Sequence, residues 1–177
     1  MDGKGKKIYA FIDSQNLNLS VRNNIVEKDT GRLIYRGWLL DFRRFFVYLK
    51  DKHKVDKAFL FIGRVAGMEG LYTFLESVGY KVIYKPTLDY TDGGERHTKG
   101  NVDAELVLHT MIEFSNYDKA IIVAGDGDYY CLVEFLERNN KLSHIIIPNQ
   151  QSYSSLLGQY RPFLIFVTDL RSKLEHI

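Results

Sequence analysis

Residues 120–136 read AIIVAGDGDYYCLVEFL, and the fold turns on how this stretch divides. Its first half is a run of β-branched and small apolar residues that stops at Gly125. A run that is apolar without alternation marks a strand buried on both faces, as in a parallel sheet covered by helices. From Tyr129 onward the apolar residues recur at the three-and-four spacing of an amphipathic helix. Between the halves stand Asp126 and Asp128, two carboxylates where a buried strand turns into a helix. Each has a local use there. Asp128 suits a helix N-cap, and Asp126 suits a tight turn between Gly125 and Gly127.

The same alternation extends in both directions. Strand-like runs occur at IYAFID (8–13), KAFLFI (57–62), KVIY (81–84), HIIIP (144–148) and FLIFVT (163–168), the last expected at a sheet edge. Helical spacing appears over 38–53, through Leu39, Phe42, Phe46 and Leu49. It recurs over 68–79, through Leu71, Phe74, Leu75 and Val78, with Gly79 as the stop signal. Two more helices are expected over 101–116 and 129–140. Strands alternating with helices predict a doubly wound α/β fold, with a mainly parallel sheet and helices on both faces. Residues 26–37, with a turn at DTG, and the polar stretch 85–100 break the rhythm and are expected as long, functional or mobile loops.

The chain has 177 residues, enough for one domain over 1–177 with a proper core. Twenty-four basic residues stand against 22 acidic ones, a net charge of +2. Contact with a polyanion must then come from a local patch rather than from bulk charge. A single cysteine, Cys131, excludes an internal disulfide and fits a reducing, cytoplasmic setting. Its place in an apolar helical pattern predicts a small buried residue. No run approaches the roughly 18 apolar residues of a membrane span, and the first residues lack the apolar core of a signal peptide.

In an open parallel sheet, ligands bind beyond the carboxyl ends of the strands, near the switch in strand order. Asp13 ends the first strand, Asp126 and Asp128 follow AIIVAG, and Asp103 lies in the first turn of the helix leading into that strand. Local duties compete with a shared one. Asp103 favours the helix dipole, and Asn16 can cap the first helix. Asp13 has no evident local duty. Four carboxylates at one edge repel each other unless a cation joins them. A hard divalent ion such as magnesium suits such a set and supports phosphodiester hydrolysis. No set of histidines and cysteines has zinc-ligand spacing.

Three motifs, FIDSQNL (11–17), KGNVDAEL (99–106) and VAGDGDYYCLVEFL (123–136), resemble in order and spacing those of the NYN domain family, LabA-like type, within the PIN-like nuclease superfamily. The resemblance covers about residues 8–150. It implies a PIN-like fold that binds Mg2+ or Mn2+ and cleaves RNA, with Asp13, Asp103, Asp126 and Asp128 as the metal site and Asn16 supporting it or touching substrate. Ala124 departs from the family's usual serine, and Tyr129 from its usual phenylalanine, which reads as a mild change. The expected activity is that of a metal-dependent endoribonuclease on single-stranded RNA. The alternative is a non-catalytic RNA- or protein-binding module of the same fold. A Toprim-like domain, an aspartyl phosphatase and a flavin site fit the first-strand residues less well. Lys99, Arg96, Lys85 and Arg36 are the expected phosphate contacts, with Arg32, Arg43, Arg44 and His97 as further candidates. Tyr35 or Tyr90 is the candidate base-stacking platform. His109 reads as a helix-face residue without a role.

Overall fold

The apolar runs become the strands of one central sheet. The computed structural model describes residues 5–86, 88–92, 95–99 and 102–177, with side chains excepted for 88–92 and 95–99. In chain order the elements are β1 (Ile8–Asp13), α1 (Ser14–Arg22), β2 (Ile25–Val26), β3 (Leu33–Tyr35), α2 (Phe42–His53), β4 (Lys57–Arg64), α3 (Glu69–Val78), β5 (Lys81–Pro86), β6 (Leu88–Asp92), β7 (Glu95–Lys99), α4 (Asp103–Ile112), β8 (Lys119–Val123), α5 (Tyr130–Arg138), β9 (Leu142–Ile147), β10 (Leu164–Phe166) and α6 (Arg171–Leu174). Six strands pair in the order β10-β9-β8-β1-β4-β5, and every pairing is parallel. The FLIFVT run contributes the expected edge strand.

β1 shows why its residues do not alternate in polarity. Tyr9 and Phe11 enter the core on one face of the sheet, while Ala10 and Ile12 enter the core on the other. Side chains point alternately to the two faces of a strand, and here both faces are covered. Leu17 and Val21 of α1, Phe45 and Leu49 of α2, and Leu75 of α3 fill one core. Leu106 of α4 and Leu132, Val133 and Leu136 of α5 fill the other. Each such side chain stabilises the fold by roughly 1.5–3 kcal/mol through burial.

The two segments that broke the rhythm are ordered differently from the loops expected of them. β2 and β3 form an antiparallel hairpin whose turn contains Gly31. β6 and β7 form a second hairpin within 85–100, with Leu88 opposite Lys99 and Asp92 opposite Glu95. Helix borders also move. α2 starts at Phe42 rather than at residue 38, because the Asp41 carboxylate accepts from the backbone N–H groups of Arg43 and Arg44 at 2.9 and 3.1 Å. Leu39, part of the apolar spacing, stays outside the helix and largely in solvent. α3 stops at Gly79, whose φ of +119° is readily adopted only by glycine. α4 ends at Ile112, short of 116. No described helix is long and apolar enough to cross a membrane.

Candidate functional site

Strand order reverses between β1 and β8, since the chain proceeds from β1 outward to β4 and β5, then returns to β8. In open parallel sheets such a switch point is where ligands bind, beyond the carboxyl ends of the strands. Asp13 is the last residue of β1, buried, and has a local duty after all. Its Oδ1 accepts from the Asn16 backbone N–H at 2.9 Å and caps α1. Asn16 is therefore not the cap. Its side-chain Oδ1 accepts from the backbone N–H of Gly125 at 2.8 Å, which ties the β1–α1 corner to the β8–α5 corner. Asn149, fully buried, donates from Nδ2 to the Ser20 carbonyl at 2.8 Å and anchors the loop after β9 to α1. Nothing in the sequence singled it out.

Asp103 is the first residue of α4. The hydroxyl of Tyr129 lies 2.7 Å from Asp103 Oδ1 and 2.9 Å from Asp13 Oδ2. A phenol carries one proton and donates one hydrogen bond at a time. Two such contacts therefore require the proton to be shared between the carboxylates, or one carboxyl to carry a proton of its own. Burial, with a smaller push from Asp103, raises the pKa of Asp13 against the lowering effect of the Asn16 N–H and the Tyr129 hydroxyl. Asp13 therefore holds a proton more readily than an ordinary aspartate. Burial first, and then the two acids, push the Tyr129 phenol far upward, so that it stays protonated. Tyr129 is fully buried. The substitution that read as mild places a donor between two of the four expected acids.

Asp126 and Asp128 lie in solvent. Asp126, not Asp128, is the cap here: its Oδ1 accepts from the Asp128 N–H at 3.1 Å and opens a single 3-10 turn, Gly127–Tyr129, before α5. That turn is braced by the loop after β9. The Ser154 N–H donates to the Gly125 carbonyl at 2.9 Å, and a Cβ on Gly127 would fall 2.6 Å from Ser154 Oγ. Ala124 is fully buried in the core beneath α4 and α5.

The expected convergence of four carboxylates is met at two. Among the described residues, no three aspartate, glutamate, histidine or cysteine side chains stand close enough to hold a metal ion together. Asp13 and Asp103, linked through Tyr129, nevertheless suit an ion that takes one or two carboxylates and keeps several waters, as magnesium does.

The expected phosphate contacts fare unevenly. Lys85 pairs with Glu105 of α4 at 3.1 Å, and Arg36 is exposed. The side chains of Lys99, Arg96, His97 and Tyr90 lie outside the described residues. Arg32 pairs with Glu27 at 3.5 Å and Arg44 with Asp41 at 3.8 Å, while Arg43 stacks over Phe74 at 5.5 Å. Tyr35 is half-buried, with its hydroxyl donated to the Val21 carbonyl at 2.8 Å. His109 packs its ring 5.6 Å from that of Phe61. Cys131 is exposed rather than buried, because α5 turns Leu132, Val133 and Leu136 to the core instead.

Residues 7–163 match the family model described as NYN domain. The chain is 24% identical over 177 residues to the Low amplitude and bright protein LabA of Synechococcus elongatus (strain ATCC 33912 / PCC 7942 / FACHB-805), with 96% of this chain and 88% of that protein covered. Its fold is similar to the crystal structure of a protein of unknown function from Vibrio parahaemolyticus RIMD 2210633. The TM-score is 0.74 at 23% identity, covering 98% of this chain and 99% of that one. At that identity the likeness is one of fold.

Proposed function

The chain belongs to the NYN domain family, and from that premise we propose that it is a metal-dependent ribonuclease hydrolysing RNA phosphodiester bonds, as an endonuclease on single strands. The observation that carries this reading is the meeting of Asp13 and Asp103 at the switch point, from elements 90 positions apart in sequence. These two carboxylates would hold a Mg2+ or Mn2+ ion. When bound, the ion supplies charge neutralisation at the phosphate and acidifies water. Asn16 and Asn149 fix the corners from which the acids project. Tyr129 keeps the pair together and donates its hydroxyl hydrogen bond to it. Asp126 and Asp128, exposed after the neighbouring strand β8, act on the substrate side. Arg36, Lys99 and Arg96 are the proposed phosphate contacts, and Lys85 braces α4 through Glu105. The lone Cys131 accords with a reducing cytoplasm.

One observation favours a second reading, a non-catalytic RNA- or protein-binding module. The Tyr129 hydroxyl bridges the two acids directly, and among the described residues no third acid joins them. Cleavage of labelled single-stranded RNA in Mg2+ or Mn2+ decides between the two. Asparagine also caps helices well, so Asp13→Asn removes the charge and leaves α1 capped. Asp13→Asn and Asp103→Asn should each lower metal-dependent cleavage on the order of a hundredfold or more. Absence of cleavage by folded wild type across several RNAs and both metals moves the assignment to the binding module. Cleavage that survives both substitutions removes this site from the reaction.

A further inference from the structure

A cavity of about 420 Å³ opens at the carboxyl ends of β1 and β4, between α1 and α3, and its lining begins at Ser14, the residue after Asp13. The first turns of α1 divide their side chains between two sites. Asp13 and Asn16 serve the switch point. Ser14, Gln15 and Asn18 line the cavity. The remaining walls are mainly apolar, among them Ile62 of β4, Met68 beside α3, and Leu71 and Leu75 of α3. Among the described residues no charged side chain lines it. Gln15 and Asn18 are one helical turn apart and present their amides on the same side. Among the described residues neither amide has a hydrogen-bond partner.

We propose that this cavity is a nucleobase subsite, taking an unstacked base of the RNA whose phosphate lies at Asp13 and Asp103. The proposal rests on the reading of that edge as one that handles RNA. A chargeless, apolar slot repels a phosphate and gives a free sugar little to bond, whereas it suits the flat faces of a base. Two unpaired amides match the donor and acceptor edge of a base, the pairing by which asparagine and glutamine read adenine. The volume lies in the range of small-ligand sites, and Met68 adapts its shape to a ring. Recognition of single-stranded RNA works by splaying bases into such pockets. The flexible Leu19 and Met68, each about 40% exposed at the rim, keep the entrance apolar.

The test is an NMR titration of the 15N-labelled protein with each of the four ribonucleoside monophosphates, with ribose 5-phosphate as the baseless control. At least one nucleotide should shift the amides of residues 14–19 and 62–75, and ribose 5-phosphate should leave them unmoved. Asn18→Ala, at a half-exposed helical position where alanine is favoured, removes one amide and should weaken binding about tenfold. Leu71→Trp, from a partly exposed residue, fills the slot and should weaken it further. Equal response to ribose 5-phosphate, no response to any nucleotide, or nucleotide shifts unchanged by both variants overturns the proposal. A short peptide library that shifts the same amides where nucleotides do not would assign the cavity to a protein partner instead. Base binding by a protein that cuts no RNA keeps the subsite and removes the nuclease. Cleavage without base binding here does the reverse.

Discussion

Tyr129 is the residue whose role the chain disguises best. As the third residue after Asp126 at the start of an amphipathic segment, it reads as a core aromatic, and it is indeed fully buried. Only the positions of Asp13 and Asp103, brought from the first and second motifs, reveal that its hydroxyl serves both. Tyr129→Phe removes a hydrogen bond to a charged group, a loss of about 1.5–3 kcal/mol. For a chain of this size that lowers Tm by roughly 3–12 °C. The two acids then lack their donor, so Mg2+ or Mn2+ should raise the Tm of Tyr129→Phe more than that of wild type. Thermal melts with and without metal check this, and an equal metal response in both proteins would refute the idea that the hydroxyl stands in for a cation. Asp13 and Asp126 were legible as residues of the switch point, because strand ends announce themselves in apolar runs. Their capping duties were not, because a cap depends on where the helix begins, and that is set by the backbone rather than by the apolar period.

At the scale of elements, the six strands of the sheet and their parallel pairing could be read from the sequence, and the borders of α2 and α4 could not. Leu39 has the right spacing for a helix but lies ahead of Asp41, and the cap outranks the period. The hairpin β2–β3 was hidden because its strands are short and largely exposed, with little burial to mark them. It is joined to α1 by a close approach that the sequence shows only as a glycine. A Cβ on Gly37 would stand 1.9 Å from the Arg22 carbonyl oxygen, and no rotamer change can move a backbone atom. Gly37→Ala should therefore cost about 3 kcal/mol or more. Gly70, inside α3, has nothing within 4 Å of the same built atom. Gly70→Ala should stabilise by about 0.5–1 kcal/mol. Urea unfolding of the two variants checks both signs, and a neutral Gly37→Ala would show that α1 and the hairpin separate without cost.

The whole molecule carries a pH sensitivity remote from the carboxylates. The rings of His53 and His144 lie 4.9 Å apart. His53 Nε2 also meets the Tyr48 hydroxyl at 3.1 Å, and His144 Nδ1 meets Ser143 Oγ at 2.9 Å. Burial, helped by His144 and Lys52, lowers the pKa of His53 to about 4, and burial lowers that of His144 as well. The unfolded chain, with an ordinary histidine near 6.5, therefore binds more protons than the folded one between those values. Stability is complete above about pH 6.5 and falls as pH drops towards 4. With screening of this half-buried pair allowed for, the loss between pH 7 and 5 should be about 1 kcal/mol. Denaturant unfolding at the two pH values measures it, and His53→Gln should flatten the slope; an unchanged slope in that variant would place the sensitivity elsewhere. The strand order has a consequence in time. β1 is spanned on one side by residues 57–61 and on the other by residues 119–123, so its second neighbour leaves the ribosome more than a hundred residues after it. Until then β1 and β4 can pair but present an open apolar edge. A nascent chain at that stage has Asp13 but not the β8 corner that Asn16 grips, so the switch point forms only late in synthesis. Slow, long-range closure of this kind leaves the half-made chain with apolar surface open to aggregation.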